Sequence, residues 1–369
     1  MAGPSPALCA RVRTRAARQA SRQRGERALL ESRQERILLA VIREYIETAE
    51  PVGSASLLQK YNLGCSGATV RSEMARLEEL GYLAQPHTSA GRVPLDKAYR
   101  HYVDRLMEKR IELPPEAPDI VRGFDHSERE IEALIDHTRR RLSQLTRYTS
   151  LVLGPRLGRS LFKYVQLVSL ASRQVLLVMM THTGNVVHRV IELASDVGTV
   201  DFSRLTNLLN DRLAGMSMDA ISVPFLRELL EPCQPEIVTR IGEATRDLAR
   251  EYESRVFYEG ASNLLDQPEF RDVQKARALL EVLEQEKILA EILDKSLPGE
   301  GLGVVIGGEH ALLPMRECTM VTASYRVGGV AVGTIGIIGP TRLHYVRVMS
   351  IVQCVADSLG RRLTEAGGN

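Results

Sequence analysis

Between residues 66 and 80 the chain sets Ser66, Thr69, Arg71, Ser72 and Arg76 among apolar residues that recur three and four apart: Val70, Met74, Leu77 and Leu80. At helical periodicity the apolar set forms one buried stripe. Ala68, Thr69, Ser72 and Arg76 then fall opposite it, with Arg71 on the flank. Small side chains at the N-terminal end let a helix approach base edges in a major groove. Short hydroxyls can bond bases or phosphates, and the planar fork of an arginine matches guanine O6 and N7 or a phosphate. The helix N-terminus adds positive potential toward phosphate. The chemistry on offer is recognition of duplex nucleic acid. Taken singly, Thr69 and Ser72 read as well as solvated residues of a surface helix, so the surrounding pattern has to decide.

A loop supplies the second set. His87, Thr88 and Ser89 are uncharged donors at a loop tip, Gly91 permits a turn, and Arg92 adds charge. Such a wing touches the backbone or the minor groove, where an arginine is favoured electrostatically. Lys97 and Arg100 follow, and read either as phosphate contacts or as plain solubilising charges.

The elements that must position these residues can be traced on both sides. Ile37, Leu38, Val41, Ile42, Tyr45 and Ile46 mark a helix from Ser32, ended at Glu50-Pro51 because a residue before proline leaves the α region. Ser54 is placed to cap a short helix carrying Leu57, Leu58 and Tyr61, and Asn62-Leu63-Gly64 makes a tight turn. Ser66 caps the third helix and Gly81 suits its left-handed end. Tyr82–Gln85 and Val93-Pro94 flank the loop as a hairpin. A fourth helix from Leu95 buries Ala98, Tyr99, Tyr102, Val103, Leu106 and Met107. Three helices, a two-stranded wing and a further helix describe a winged helix-turn-helix over residues 32–111.

Composition is compatible with this and excludes other classes. With 44% hydrophobic and 25% charged residues, the 369-residue chain is an ordinary globular protein of two or three domains. The net charge of +2 conceals a basic N-terminal end: the first 25 residues contain no Asp or Glu, which suits a polyanionic partner. Residues 1–31, rich in Ala, Arg and Ser, are expected to be a flexible basic tail, or the product of an upstream start codon, with a superficial likeness to a transit peptide. Cys9, Cys65, Cys233, Cys318 and Cys354 are scattered without a C-x-x-C pair. That argues against a disulfide framework or a zinc ribbon and fits a reduced, cytoplasmic setting. No apolar run is long enough to span a bilayer.

Beyond a proline-rich stretch, Leu113–Pro118, expected as a semi-rigid linker, comes an amphipathic helix with Ile131, Leu134, Ile135, Leu142 and Leu145. Strands are expected at Thr149–Leu153, Tyr164–Ser169, Val175–Met180 and Val186–Ile191, with a turn at Thr183-Gly184-Asn185. Helices broken by Pro224, Pro232 and Pro235 follow over residues 201–253. A second β-rich region holds Val304–Ile306, Met320–Tyr325 and Val330–Ile338, with Gly328-Gly329 as a hairpin turn. A final helix buries Val346, Met349, Val352, Val355, Ala356 and Leu359. Two β-regions separated by helices mean either tandem domains or one inserted in the other. Periodicity does not choose between them.

The stretches SRQERILLAVIREYI, EPVGSASL, SGATVRSEMARLEELGYL, PHTSAGRVPLDKAYRHYVD, EGASNLLDQPEF and YRVGGVAVGTIGIIGPTRLHY resemble those of the heat-inducible repressor HrcA family, from Ser32 to the last helix. The resemblance implies an α+β protein with a winged helix-turn-helix, a GAF-like α/β domain (112–154 and 254–369) and an inserted dimerising α+β domain (155–253). It implies a bacterial repressor that binds an inverted-repeat operator, CIRCE, upstream of chaperone genes as a homodimer. Its activity would be supported by the GroEL chaperonin. No cofactor or metal is expected.

Other readings stand beside it. A GAF-like domain can hold a small effector that controls repression. An enzyme is disfavoured: Gly299–Gly308 lacks G-x-G-x-x-G spacing, and there is no P-loop, G-x-S-x-G or H-E-x-x-H. His182 and His188 lack a ligand cluster, and Arg139-Arg140-Arg141 reads as a solvated helix face. A pure scaffold would have no affinity for DNA.

Overall fold

A computed structural model describes residues 30–88, 90–109, 111–125, 131–194, 196, 200–230, 235–251, 255–295 and 301–368. The basic tail read over residues 1–31 lies almost entirely outside that range. The chain divides into two compact units at Ala98/Tyr99.

In the first unit, α1 (Ser32–Thr48) ends with Ala49 in the left-handed region, two residues before Pro51. The cap of the short helix α2 (Ser54–Lys60) lies one residue earlier than expected: Gly53 holds the cap position, and Ser54 is the first helical residue. Leu57 is buried while Leu58, expected beside it, is exposed. Gly64 has φ 65°, which a glycine adopts without Cβ strain. The third helix, α3 (Gly67–Glu79), is capped by Ser66, whose hydroxyl accepts from the Thr69 amide. Gly81, at φ 74°, leads out of it. Strands β1 (Leu83–Ala84) and β2 (Val93–Pro94) pair antiparallel, Leu83 opposite Pro94. Ile37, Leu38, Val41, Ile42, Leu57, Val70, Leu77 and Leu83 form the core, each at most 1% exposed. Burial of such a side chain stabilises by about 1.5–3 kcal/mol, before the entropy cost of ordering it. Helix α4 (Asp96–Met107) contains the division, with all but its first three residues in the second unit; Ala98, Tyr99, Tyr102 and Val103 are buried as expected, whereas Leu106 is half-buried and Met107 exposed.

The second unit is a mixture of helix and sheet, so the chain as a whole is α+β. The proline-rich stretch is no simple linker: α5 (Ala117–Asp125) begins within it. Pro118 lies in its first turn, where no intrahelical N–H is needed. The amphipathic α6 (Ile131–Thr146) runs into β3 (Thr149–Leu153). An all-antiparallel sheet has the order β7-β3-β10-β9-β8, with β7 (Val256–Glu259), β8 (Leu302–Ile306), β9 (Cys318–Val327) and β10 (Val330–Pro340). Its β9–β10 hairpin turns through Gly328 and Gly329, at φ 58° and 85°. One sheet face packs Leu151, Leu153, Met320 and Ile338 against Leu279, Leu283, Leu289 and Leu293 of α11 (Val273–Leu283) and α12 (Glu286–Lys295). A long C-terminal helix, α13 (Tyr345–Gly368), packs on β9 and β10 with Val352, Val355 and Leu359 buried; Val346, expected in that stripe, is exposed.

Between β3 and β7 the chain builds a separate antiparallel sheet from β4 (Phe162–Ala171), β5 (Gln174–Thr181) and β6 (Val186–Glu192). Helices α7 (Phe202–Leu213), α8 (Val223–Leu229) and α9 (Pro235–Glu251) cover one face. Val165, Leu167, Val175, Leu177, Met179 and Val187 meet Leu205, Leu209, Leu226 and Ile241 in a core of their own. Strand alternation sends Tyr164, Val168, Val186 and Val190 to the opposite face, where they are exposed. The short helix α10 (Ser262–Leu265) follows β7. Among the described residues no helix is long and apolar enough to cross a membrane, and no cluster of His, Cys, Asp and Glu could hold a metal ion.

Candidate nucleic-acid interface

The docking of α3 fixes which of its residues face outward. Val70, Met74 and Leu77 are buried, and so is Glu73, a charged residue on the apolar stripe. Glu73 accepts from Arg33 Nε (2.9 Å) and Gln34 Nε2 (3.1 Å), tying the middle of α3 to the start of α1. Burial opposes ionisation there, but the Gln34 and Arg33 hydrogen bonds and the nearby positive charges outweigh it and hold the Glu73 carboxyl below its ordinary range. A second buried carboxylate, Glu44 of α1, pairs with Lys60 of α2 at 2.6 Å. The Glu73 hydrogen bonds seat α3 on α1, and the Glu44 pair ties α1 to α2.

On that outer face Arg71, Ser72 and Arg76 are exposed, and among the described residues neither arginine makes an ion pair. Thr69 is half-buried; its hydroxyl lies 3.0 Å from that of Ser66, so one donates to the other. Ser66 therefore holds two groups at the helix tip, the Thr69 amide at 3.2 Å and the Thr69 hydroxyl.

The hairpin loop is held at several points. The Ala90 amide donates to the His87 carbonyl at 2.8 Å, closing a turn at the tip. Gln85 Nε2 donates to the carbonyls of Thr88 (2.9 Å) and Ala90 (3.0 Å). At the base, Val52 and Arg92 exchange two backbone hydrogen bonds of 2.9 and 2.8 Å. A Cβ on Gly91 would come within 2.4 Å of the Val52 carbonyl, so only glycine fits. His87 and Thr88 are exposed; Ser89 lies outside the described residues.

Three of the expected basic contacts are engaged by the protein. Arg92 pairs with Glu78, in the last turn of α3, at 2.8 Å. Lys97 Nζ donates to the Leu80 carbonyl at 2.8 Å and lies 4.4 Å from the centre of the Tyr82 ring. A cation on the last carbonyls of α3 complements the helix dipole. Arg100 departs furthest from expectation: within the second unit its guanidinium forks onto Glu309, donates to the Val304 carbonyl at 2.7 Å and pairs with Asp104 at 3.6 Å. Its charge is matched by carboxylates rather than presented for a phosphate. The structure thus groups Ser66, Thr69, Arg71, Ser72 and Arg76 on α3, and His87 and Thr88 on the loop. Arg92 ties the loop to α3, Lys97 ties α4 to the end of α3, and Arg100 belongs to neither set.

Gln85, Glu73 and Glu78 escaped the sequence reading. Glu73 left a signal, since a carboxylate at a core position of a helix requires buried partners. Gln85 left none, because its partners are backbone carbonyls.

Residues 132–349 match the family model described as the HrcA protein C terminal domain. A heat-inducible transcription repressor HrcA from Pelotomaculum thermopropionicum is 41% identical over 338 residues, 90% of this chain and 97% of its own length. The same repressor from Symbiobacterium thermophilum is 40% identical over 335 residues, covering 90% and 98%. A crystal structure described only as a hypothetical protein superposes with a TM-score of 0.57 at 25% identity, covering 91% of this chain and 98% of that one. With identity of this degree sustained along nine-tenths of its length, the chain belongs to the HrcA family of heat-inducible transcription repressors.

Proposed function

We propose that this protein represses chaperone genes by binding an inverted-repeat operator of the CIRCE type as a homodimer, with support from the GroEL chaperonin. In this reading residues 32–111 act as a winged helix-turn-helix in which α3 enters the major groove. The observation that carries it is the outer face of α3: Arg71 and Arg76 are exposed, with no ion pair among the described residues, beside Ser72 and the capped helix tip. Unpaired guanidinium groups beside small hydroxyls at a helix N-terminus suit guanine edges and phosphates. His87 and Thr88 serve as wing contacts. The role is regulatory and not enzymatic, in keeping with the repressors to which the chain is related.

An inverted repeat requires a two-fold protein with two reading helices. Residues 155–253 are the dimerising insertion, and 112–154 with 254–369 the GAF-like body. The bare apolar face of β4-β5-β6 supports this, since exposed patches of that kind mark interfaces. A gel shift on an inverted-repeat duplex, with and without GroEL, tests the reading. A specific complex that GroEL strengthens is expected. Equal affinity for a scrambled duplex, or a monomer in sedimentation that still binds the full operator tightly, overturns it.

A further inference from the structure

We infer that Gln85 is a positioning residue for DNA recognition: its carboxamide shapes the hairpin loop so that the tip meets the duplex preformed. The inference rests on the proposed DNA-binding function and adds to it a residue that contacts no DNA itself. Gln85 is half-buried at the foot of the loop, and both its N–H groups are spent on the carbonyls of Thr88 and Ala90. Those carbonyls carry partial negative charge, and the Gln85 donors engage lone pairs that would otherwise face a polyanion unmatched. Among the described residues the exposed tip presents the side chains of Pro86, His87 and Thr88.

Among the described residues, most of the remaining restraints act at the loop base. The Val52–Arg92 backbone pair, the Gly91 contact and the Arg92–Glu78 ion pair all lie at residues 91–92. Besides the His87–Ala90 turn, Gln85 supplies the side-chain bonds that span the tip. Without them the loop would have to be ordered on binding, and that ordering cost is subtracted from affinity.

The test is a double-mutant cycle in the full-length protein between Gln85→Met, which keeps the shape and removes both N–H groups, and a tip variant, His87→Ala/Thr88→Ala. Operator binding is read by titration, and folding by thermal melting. Gln85→Met is expected to weaken operator binding about tenfold while melting close to the parent protein. Added to the tip variant it should cost little more, because the contacts it positions are already gone. Two results overturn the inference: unchanged binding by Gln85→Met, or losses that multiply fully in the combined variant, as a generally destabilising change would give. Should Gln85→Met fail to fold, Gln85→Glu removes the same donors and enters the same cycle, in which the effect of its charge cancels. A parent protein that binds no operator overturns the proposed function itself. Parent binding with no coupling overturns the role of Gln85 alone.

Discussion

Arginine is used in two ways in this molecule. On α3, Arg71 and Arg76 stand in solvent without a carboxylate partner among the described residues. In the second unit arginines are clamps. Arg342 forks onto Glu269 and Gln267 and is 11% exposed, Arg139 joins Asp136 and Glu259, and Arg100 joins Glu309. The same side chain, always charged, is therefore structural where a carboxylate is supplied and a ligand-seeking group where none is. Net charge does not separate the two uses. Pairing does.

The comparison can be broken at several places, and the largest effect is expected at Arg342. Arg342→Ala leaves Glu269, 23% exposed, without its counter-charge. Removing one partner of a largely buried pair costs about 3 kcal/mol, so the melting temperature should fall clearly. The folded fraction should still bind operator with the parent affinity and salt dependence; loss of either would mean that clamp and reader arginines are not distinct.

Arg71→Ala should do the reverse. Stability should hold, while specific operator binding weakens by about 1–3 kcal/mol if a base is contacted. If Arg71 holds a phosphate, binding weakens evenly across sequences and the salt dependence becomes shallower. Parent affinity with the parent salt slope would remove Arg71 from the interface.

Arg100→Ala sharpens the contrast, because Arg100 and Arg71 look alike in the sequence. Its pair with Glu309 is partly solvated, so a loss of stability near 1 kcal/mol is expected, measured by denaturant titration. The salt slope of operator binding should not change; a shallower slope would return Arg100 to the DNA contacts.

The smallest effect concerns pH. Glu73 is held below the ordinary carboxylate value of 4.5, so its stabilising contribution is present above that value and lost as the pH falls through its folded one. Melting of the parent protein should drop on acidification below about 4.5, and Glu73→Gln should flatten this part of the pH profile. Identical profiles would show that the Arg33–Gln34–Glu73 contact does not seat α3.

Much of the framework was legible because it is local. The spacing of Val70, Met74 and Leu77 identified α3 and its outer face; Ser66 was readable as its cap, and Gly81 as the residue that ends it. Strand Thr149–Leu153 was readable as a short strand after the amphipathic helix, and the Gly328-Gly329 turn from glycine's freedom at positive φ. Other elements were hidden for stated reasons. The four-residue edge strand β7 exists only because β3 lies beside it, and α5 begins inside a proline run that elsewhere makes extended chain. Leu58, Met107 and Val346 fit an apolar period, yet no partner covers them.

By itself the sequence determined that a helix tip and a loop carry hydroxyls, a histidine and arginines opposite an apolar stripe, since helix and strand periods depend on neighbours a few residues apart. Only the tertiary structure decided which of those cations stay unpaired. The carboxylate that claims Arg100 stands 209 residues away, and no local pattern records such a pairing.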